Sequence, residues 1–304
     1  MSRVCVVGSL NMDVSYRVAR LPMPGETVLA LDRERDFGGK GGNQAIAVAV
    51  LGGEVGFVGA VGADEAGQDY LDHLRRHGVD TSGVTQAAAV ATGTAMVFVD
   101  DAGENLIVVD PGANSSVRPD AVSHAIRACS PSVVLAQLEI PIDALEAIVE
   151  AIPDATTFIL NPAPMPPDPN ALAKVLPRVD ILVPNRTELG QLSGLNEPDT
   201  ITDVAACLTA LRFEGPVVVT LGADGAAVFE RGELRQFPAV HVEPIDTTGA
   251  GDAFCGALAA GLAAGLSVDD SVREAVKVAG RSTTLRGAQL TAESVEGPAG
   301  EALS

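Results

Sequence analysis

The sequence contains no tryptophan and few aromatic residues, which make up 3% of its 304 residues. This scarcity disfavours a site that stacks on the base of a nucleoside substrate. Basic residues are also few, since 20 Lys and Arg stand against 40 Asp and Glu and give a formal net charge of −20. A nucleic-acid partner would need a basic surface, so none is expected. The acidity itself indicates no partner, because a solvated, repulsive surface explains it equally well.

The sequence lacks a CxxC pair and any apolar run long enough to span a bilayer. Its four cysteines, Cys5, Cys129, Cys207 and Cys255, stand singly in apolar surroundings, which is typical of reduced structural thiols in a cytoplasmic protein. The longest run of small apolar residues, 253–266, is too short and too rich in glycine to cross a membrane. The opening segment MSRVCVVGS predicts a first strand and not a secretory signal.

Short β-branched runs alternate with longer segments rich in alanine and leucine along most of the chain. The predicted strands are Arg3–Val7, Val55–Val61, Val133–Gln137, Thr157–Leu160, Ile181–Val183, Val217–Leu221 and Ala226–Glu230. The predicted helices are Asn43–Leu51, Glu65–His77, Pro119–Ala128, Ile142–Ala151, Ile201–Phe213, Ala253–Ala264 and Ser267–Thr284. This alternation predicts an α/β fold with a mostly parallel central sheet, covered by helices on both faces.

Two segments interrupt the alternation and predict a small additional sheet. Residues 14–36 are polar and contain prolines, and residues 94–110 have the pattern of a hairpin with a glycine in its turn. A sheet built from both would lie over the carboxyl ends of the parallel strands, where α/β folds bind ligands, and would act as a lid. We therefore expect one α/β domain over residues 1–290 and a flexible tail over residues 291–304.

The glycine-rich segment DTTGAGD, Asp246–Asp252, runs directly into the apolar segment AFCGALAAGL. A turn that opens a helix presents several backbone N–H groups, which together with the helix dipole form an anion site. Asp252 lies at its edge as a potential base, and a helix N-terminus should keep it ionised. An anion site beside a base suits the transfer of a phosphoryl group to a hydroxyl. Taken alone, such a turn can equally serve only to redirect the chain.

A second glycine-rich segment, FGGKGGNQA, covers Phe37–Ala45. It is not a Walker A motif, because Gly41 follows Lys40 and Glu34 replaces the first glycine. Its glycines would let the backbone approach a ligand closely, while Lys40 and Asn43 offer donors. Asn43 could instead cap the following helix.

Polar residues follow several of the predicted strands. Asn11 and Asp13 are two apart, hence on one side of an extended chain, where they could grip vicinal hydroxyls or form an Asx turn. Glu139 follows another strand, and Asn185 and Glu188 lie three apart at the start of a helix, where they could also be caps. Residues 220–225 form a tight glycine turn that suits a nucleotide or a plain hairpin.

Other patterns are rejected as sites. His73 and His77 are four apart on a predicted helix, but without a third ligand they are interpreted as surface histidines. Phe254 stands where a dinucleotide fingerprint needs its last glycine, which disfavours a Rossmann site.

These motifs together resemble the ribokinase (PfkB-type) family of carbohydrate kinases. The resemblance covers residues 4–289 and rests on GSLNMD, PGET, GGKGGNQA, GENLIVVDPGAN, NPAP, VPNRTE, TLGADGA, DTTGAGDAF and RGAQ. It implies a ribokinase-like three-layer α/β/α domain whose β-lid often forms a homodimer. It also implies ATP, Mg²⁺, a monovalent cation, usually K⁺, and phosphorylation of a primary hydroxyl of a sugar.

The resemblance also implies roles for particular residues. Asp252 would be the catalytic base, beside an anion hole formed by the amides of Gly249, Ala250 and Gly251. The sugar, which also meets Asp252, would be held by Asn11, Asp13, Gly39, Lys40, Asn43 and Glu139. The nucleotide, its phosphates and Mg²⁺ would meet Asn185, Glu188, Thr220, Leu221, Gly222, Ala223, Asp224, Gly225 and Gly251. The monovalent cation would be bound by Asp246, Thr248, Ser282, Leu285, Gly287 and Thr291.

Within the family, NPAP and GGKGGNQA are most similar to the kinases of ribose, which implies D-ribose and ATP as substrates and D-ribose 5-phosphate and ADP as products. After Gln289 the chain departs from the family's Pro-Ser-x-Pro pattern, which affects Thr291 and suggests a weaker potassium response. Kinases of deoxyribose, a ketohexose or a nucleoside remain alternatives, as does a catalytically silent sugar-binding regulator. Asp252 and Lys40 argue against the regulator, since a protein that only binds sugar needs no base.

Overall fold

A computed structural model of the protein describes residues 3–296, in which strands and helices alternate as predicted. The strands are β1 (Arg3–Val7), β2 (Asn11–Val18), β3 (Ala30–Gly38), β4 (Glu54–Gly62), β5 (Asp80–Ala87), β6 (Gly93–Val99), β7 (Asn105–Asp110), β8 (Val133–Ala136), β9 (Thr157–Leu160), β10 (Ile181–Leu182), β11 (Val217–Thr220), β12 (Ala226–Glu230) and β13 (Glu233–Phe237). The helices are α1 (Lys40–Val50), α2 (Glu65–Arg76), α3 (Pro119–Cys129), α4 (Ile142–Ala151), α5 (Arg186–Ser193), α6 (Ile201–Leu211), α7 (Ala250–Ala263), α8 (Val268–Ser282) and α9 (Ala292–Glu296).

The main sheet has nine strands in the order β13-β12-β11-β10-β9-β8-β1-β4-β5. Its strands pair in parallel from β11 to β5, and only β12 and β13 pair antiparallel. The central strand β1 alternates, with Val4 and Val6 in one apolar core and Cys5 and Val7 in the other. Helices α1, α2, α7 and α8 contribute to the first core, and α3 to α6 to the second. The predicted three-layer α/β/α architecture is confirmed.

A smaller sheet of four strands, in the order β3-β2-β6-β7, forms the predicted lid. Only three residues separate the end of β1 from the start of β2, so the lid rises directly from the carboxyl edge of the main sheet. Within the main sheet the prediction missed β5 and β13. Both lie at its edges, where half-exposed strands carry few of the apolar residues that reveal a buried strand.

Two helices begin three residues earlier than predicted, at Lys40 and at Ala250. Each follows a glycine with a positive φ, +83° at Gly39 and +73° at Gly249, and glycines also occupy the first turns. Glycine has a low helix propensity, so the sequence pattern predicted that both helices begin after these glycines. Asn43 consequently lies inside the first turn of α1 and is not its cap, the alternative considered for it.

The predicted flexible tail begins at residue 291, and its described part contains the short helix α9. Thr291 exchanges hydrogen bonds with Ser294 at the start of this helix, with the two hydroxyl oxygens 2.9 Å apart. The remainder of the tail, residues 297–304, lies outside the described residues. Within residues 3–296, no helix combines the length and apolarity that a transmembrane span requires.

Candidate active site

The predicted site residues converge at the carboxyl edge of the main sheet, under the lid. Asn11, Glu139 and Asn185 follow strands β1, β8 and β10, and Asp252 lies in the first turn of α7. Parallel strands end at the same edge, which explains how residues more than 200 positions apart in the chain come together.

The turn before α7 can be built only with glycine at its cap. Gly249 has a left-handed φ of +73°, and a Cβ there would come within 1.9 Å of the Ala288 carbonyl oxygen. At Gly251, by contrast, a Cβ would meet nothing within 4 Å, so open space lies directly above the helix N-terminus. The Ala250 amide donates a long hydrogen bond of 3.3 Å to the Thr247 carbonyl. The Ala250 amide is therefore already engaged, whereas the open space at Gly251 lets an anion approach the first turn of α7.

Asp252 is buried and is held by two side-chain amides of α1. Asn43 Nδ2 donates to its Oδ2 and Gln44 Nε2 to its Oδ1, each at 2.9 Å. Burial raises the pKa of Asp252, while the positive charge of Lys40 and the two amide donors oppose that rise. The carboxylate is thus oriented by donors to its ionised form and is made more basic by burial, two properties that suit a general base.

The position of Gln44 is in turn fixed by residues that sequence reasoning did not assign to the site. Its Nε2 also donates to Asn161 Oδ1 at 3.2 Å, and its Oε1 accepts from Gln137 Nε2 at 2.5 Å. Asn161 Nδ2 donates to the Val183 carbonyl at 2.9 Å. Gln137 and Asn161 follow β8 and β9, so their placement after predicted buried strands was the available signal.

A small cavity of about 110 Å³ is lined both by Asp252 and by Thr220 of the predicted nucleotide turn. Its lining includes Lys40, Glu188, Gly251 and Asp252. Burial lowers the pKa of Lys40, but the carboxylates of Asp252, Glu139 and Glu188 raise it more, so the net pKa lies above the ordinary value. Lys40 therefore stays charged, and it lines the small cavity together with Gly251 and Asp252.

Asn185 and Glu188 form a capping box at the start of α5. Glu188 Oε2 accepts from the Asn185 amide at 2.9 Å, and Asn185 Oδ1 accepts from the Glu188 amide at 2.8 Å. Burial raises the pKa of Glu188, against the opposing effects of its hydrogen bond from Asn185 and the charge of Lys40. The structural and functional interpretations of this pair are thus compatible, because the cap also lines the small cavity.

On the lid side, Asn11 and Asp13 lie at the start of β2. Asn11 Oδ1 accepts from Asn114 Nδ2 at 2.8 Å, and Asn114 Oδ1 in turn accepts from the Leu10 amide at 2.9 Å. Asn114 therefore fixes the Asn11 amide and leaves its Nδ2 as the donor available to a ligand. Burial, together with the charges of Glu139 and two other carboxylates, raises the pKa of Asp13 to about 7.

The glycine turn of residues 38–41 closes against this side of the site. A Cβ at Gly39 would lie 2.8 Å from the Asn11 amide nitrogen. Glu139 Oε2 accepts from the Lys40 amide at 3.0 Å and from the Ser9 hydroxyl, which ties the turn to β8. Ser9 belongs to the GSLNMD segment but was not among the predicted site residues.

Asp13 Oδ1 and Asn43 Oδ1 are buried acceptors with no hydrogen-bond donor among residues 3–296. Buried acceptors of this kind are uncommon in proteins, and a ligand that brings hydroxyl donors would satisfy them.

A larger cavity of about 630 Å³ lies beyond the turn, on the far side of Gly251. Its lining includes five residues of the predicted nucleotide turn, Thr220, Leu221, Gly222, Ala223 and Gly225. Asp224 is not in this lining, and its Oδ2 accepts from Arg186 Nη2 at 2.7 Å. The opposite wall, which the sequence did not predict, is largely apolar and consists of Ala239, Val240, His241, Val242, Pro244, Val276, Ala279, Gly280 and Thr283. The turn is a hairpin between β11 and β12, and its assignment to the nucleotide stays a prediction.

The residues predicted to bind a monovalent cation lie in the loop before α7, at the end of α8 and in the loop that follows α8. Asp246 Oδ1 accepts from the Thr248 amide at 2.9 Å and Oδ2 from the Gly287 amide at 3.1 Å. Partial burial raises the pKa of Asp246, but these bonds and the nearby Arg286 lower it further, so the net pKa is below the ordinary value. Ser282 Oγ donates to the Ala279 carbonyl within α8 at 2.8 Å.

A hydrogen-bonded chain connects this second loop to the sugar side. Gln289 Nε2 donates to Tyr70 Oη at 3.1 Å, and Tyr70 Oη donates to the Gly38 carbonyl at 2.6 Å. His73 Nε2 lies 2.7 Å from Gln289 Oε1, and its ring stacks on Phe37 with centroids 4.0 Å apart. The Gly38 carbonyl can only accept, so the Tyr70 hydroxyl donates to it and accepts from Gln289 Nε2. Gln289 Oε1 is then the acceptor towards His73, so His73 Nε2 must carry the proton. The interpretation of His73 as a plain surface histidine is therefore wrong, although His77 is exposed.

Comparison with known proteins agrees with this geometry. Residues 1–295 match the model of the pfkB family carbohydrate kinases. The chain is 35% identical over 264 residues to a ribokinase of Staphylococcus aureus, covering 85% of this chain and 86% of that protein. It is 30% identical over 303 residues to a deoxyribokinase of Salmonella typhi, covering 96% of each. The structure of an Arabidopsis thaliana ribokinase complexed with ribose and ATP has a TM-score of 0.85 to this chain at 32% identity, covering 95% of each, and supports the predicted ribokinase-like fold. The chain belongs to the pfkB family of carbohydrate kinases.

Proposed function

We propose that this protein is an ATP-dependent ribokinase, which transfers the terminal phosphoryl group of ATP to the primary hydroxyl of D-ribose. The observation that carries the proposal is the pair of buried, unpartnered acceptors, Asp13 Oδ1 and Asn43 Oδ1, on the same side of the site as the base Asp252. A sugar brings the hydroxyl donors that both need, and its primary hydroxyl would be the one that meets Asp252.

The proposed reaction needs mainly positioning and charge stabilisation. Asp252, held by Asn43 and Gln44, accepts the proton of the attacking hydroxyl. The N–H groups at the start of α7 and the charge of Lys40 stabilise the negative charge that spreads over the transferring phosphoryl oxygens. The ATP base and ribose would occupy the larger cavity, and the phosphates would point through the small one towards Asp252.

The residues present fit a magnesium ion bound with the nucleotide. Mg²⁺ is usually held by one or two carboxylates together with phosphate oxygens and water, and Glu188 supplies a carboxylate on the small cavity. No group of three His, Cys, Asp or Glu side chains suited to a metal occurs within residues 3–296, so phosphates and water would complete its ligands. When bound, the ion would neutralise phosphate charge.

We also propose a monovalent cation, most simply K⁺, between the two loops that Asp246 joins. Asp246, Thr248, Ser282, Leu285, Gly287 and Thr291 are the proposed ligands. Asp246 is the only one of the six that carries a charge, and its pKa lies below the ordinary value, which suits a cation ligand. The hydroxyl of Thr291 already bonds to Ser294, so its contribution is the weakest.

A homodimer through the lid is proposed from an exposed apolar edge. Strand β7 lies at one edge of the lid sheet and exposes four consecutive apolar residues, Leu106, Ile107, Val108 and Val109, each to about half of its surface. Exposed apolar edges are normally covered by pairing. Light scattering of the wild type and of an Ile107→Lys variant tests the dimer, and a monomeric wild type would contradict it.

A cytoplasmic location is also proposed, and the four free cysteines agree with it.

A coupled assay of ADP release tests the function with D-ribose, 2-deoxy-D-ribose, D-fructose and adenosine, with and without K⁺. We expect the highest kcat/KM with D-ribose, because a sugar that lacks a hydroxyl leaves a buried acceptor unpaired at a cost of about 1–3 kcal/mol. Asp252→Asn should lower kcat by about 10²–10⁴-fold, whereas the exposed Asp69→Asn should not. A higher kcat/KM with another substrate would reassign the specificity, and an Asp252→Asn variant with near-normal turnover would overturn the mechanism.

A further inference from the structure

Two thiols meet at the edge of the main sheet opposite the active site. Cys5 lies near the start of β1 and is fully buried, and Cys129 is the last residue of α3 and is half-buried. Both pack into the apolar core on the same face of the sheet. Both also line a cavity of about 390 Å³, together with Arg3 and with the exposed His124 at its rim. A small molecule entering from solvent can therefore reach the pair.

The two thiols interact and have unequal environments. The contact with Cys5, together with the charge of Arg3, lowers the pKa of Cys129 to about 7 against the opposing effect of burial. The same contact and complete burial raise the pKa of Cys5. Cys129 is thus the more acidic thiol of the pair and Cys5 the less acidic one.

Arg3 supplies positive charge on the same cavity. Its Nη2 pairs with Asp80, but its buried Nε has no hydrogen-bond acceptor among residues 3–296, and Glu54 Oε1 lies 4.0 Å away. A buried guanidinium N–H without an acceptor is uncommon. An anionic sulfur on the same cavity stabilises this charge and is stabilised by it.

We propose that Cys5 and Cys129 are an oxidisable pair that a small peroxide converts into a disulfide. The Cys129 thiolate attacks one peroxide oxygen, so that an S–O bond forms, the O–O bond breaks, and the hydroxide released takes up a proton as water. Cys5 then attacks the Cys129 sulfenic acid, so that the S–S bond forms and the S–O bond breaks. The hydroxide released takes the Cys5 proton. Overall, two thiols and hydrogen peroxide give one disulfide and two waters.

The other two cysteines serve as controls within the same chain. Cys207 is buried, with its sulfur 3.8 Å from the Asn196 carbonyl oxygen. Cys255 is buried beside Asp252, and burial raises its pKa well above the ordinary value. Neither of them lines the cavity that Cys5 and Cys129 share, so oxidation should select Cys5 and Cys129.

The test treats the reduced full-length protein with equimolar hydrogen peroxide at pH 7.5, blocks remaining thiols with N-ethylmaleimide, and maps peptides without reduction. We expect a Cys5–Cys129 cross-linked peptide, two hydrogens lighter than the two peptides together, which dithiothreitol abolishes. Cys207→Ser should leave its yield unchanged, and Cys129→Ser should remove it. Alkylation of both cysteines after peroxide, or cross-links only between molecules, would overturn the proposal.

A second variant, Cys5→Ala, separates the two steps. With no thiol to resolve it, the Cys129 sulfenic acid should persist and be trapped by dimedone at a yield at least severalfold above that of the wild type. Because this variant removes a buried side chain, its circular dichroism is compared with that of Cys207→Ser first. If it is unfolded, the rate at which iodoacetamide alkylates wild-type Cys129 is measured against pH instead, and a midpoint above about 8.5, the value of a free cysteine, would overturn the proposal.

Discussion

Asp13→Asn tests whether the buried carboxylate of Asp13, when ionised, lowers the stability of the folded protein. The pKa of Asp13 is raised from 3.8 to about 7, with burial as the largest cause. This difference corresponds to about 4 kcal/mol of free energy that disfavours the ionised form in the folded protein. Because the folded pKa is raised, the stability that protonated Asp13 contributes is complete below pH 3.8 and is lost as the pH rises through 7. Asparagine, which has no charge, avoids that loss.

The expected gain in the free energy of unfolding of Asp13→Asn over wild type is about 4 kcal/mol at pH 8 and about 2 kcal/mol at pH 5.5. Urea unfolding followed by circular dichroism at both pH values, without sugar, measures it. Asp69→Asn, on the exposed face of α2, is the control and should change stability by less than about 0.5 kcal/mol at either pH. A gain that is equal at pH 5.5 and pH 8, or a destabilisation at pH 8, would refute the reasoning. The same variant should raise the KM for sugar at pH 8, since it loses an ionised acceptor.

Three further predictions concern the geometry around the base. Gly249→Ala should lower kcat at least 100-fold, because its Cβ would meet the Ala288 carbonyl oxygen at 1.9 Å. The control is Gly265→Ala, which has a positive φ but open space and should cost only about 1–2 kcal/mol of stability. Equal kcat values for the two variants would contradict this prediction. Tyr70→Phe should lower the free energy of unfolding by about 1–3 kcal/mol and raise the sugar KM, and an unchanged KM would show that the chain through Tyr70 does not position the sugar turn. Lys40→Met should lower kcat about 10²–10³-fold in a steady-state assay, and a change confined to the sugar KM would assign Lys40 to the sugar alone.

The main sheet was predictable, and Asp252 stood out as the predicted base, because both signals are local. Buried parallel strands are continuous apolar runs, and the DTTGAGD turn contains both the glycine that permits a left-handed cap and the carboxylate beside it. The lid was also predictable, as two segments that break the alternation. The edge strands β5 and β13 were not, because half-exposed residues carry no such run.

What sequence reasoning missed are contacts between distant segments. Gln44 lies 208 positions from Asp252 and Asn114 lies 103 from Asn11, and neither carries a local pattern that marks it as an orienting residue. His73 shows the same limit, since its spacing from His77 indicates only a helix face. Its contact with Gln289 arises because α2 packs beside the loop that follows α8.

The structure changes the physical account of Asp252 more than its identity. On the sequence alone, the dipole of α7 was the only feature expected to keep this carboxylate ionised. The side chain is buried, however, and burial raises its pKa. Two amide donors from α1 and the charge of Lys40 supply the opposing effect. A base that only the helix dipole held would be a weak proton acceptor with a free side chain, whereas here burial increases its affinity for the proton and Asn43 and Gln44 fix its direction. The same α1 helix begins at Lys40, so a residue predicted to hold the sugar and the two amides that orient Asp252 lie on one helix.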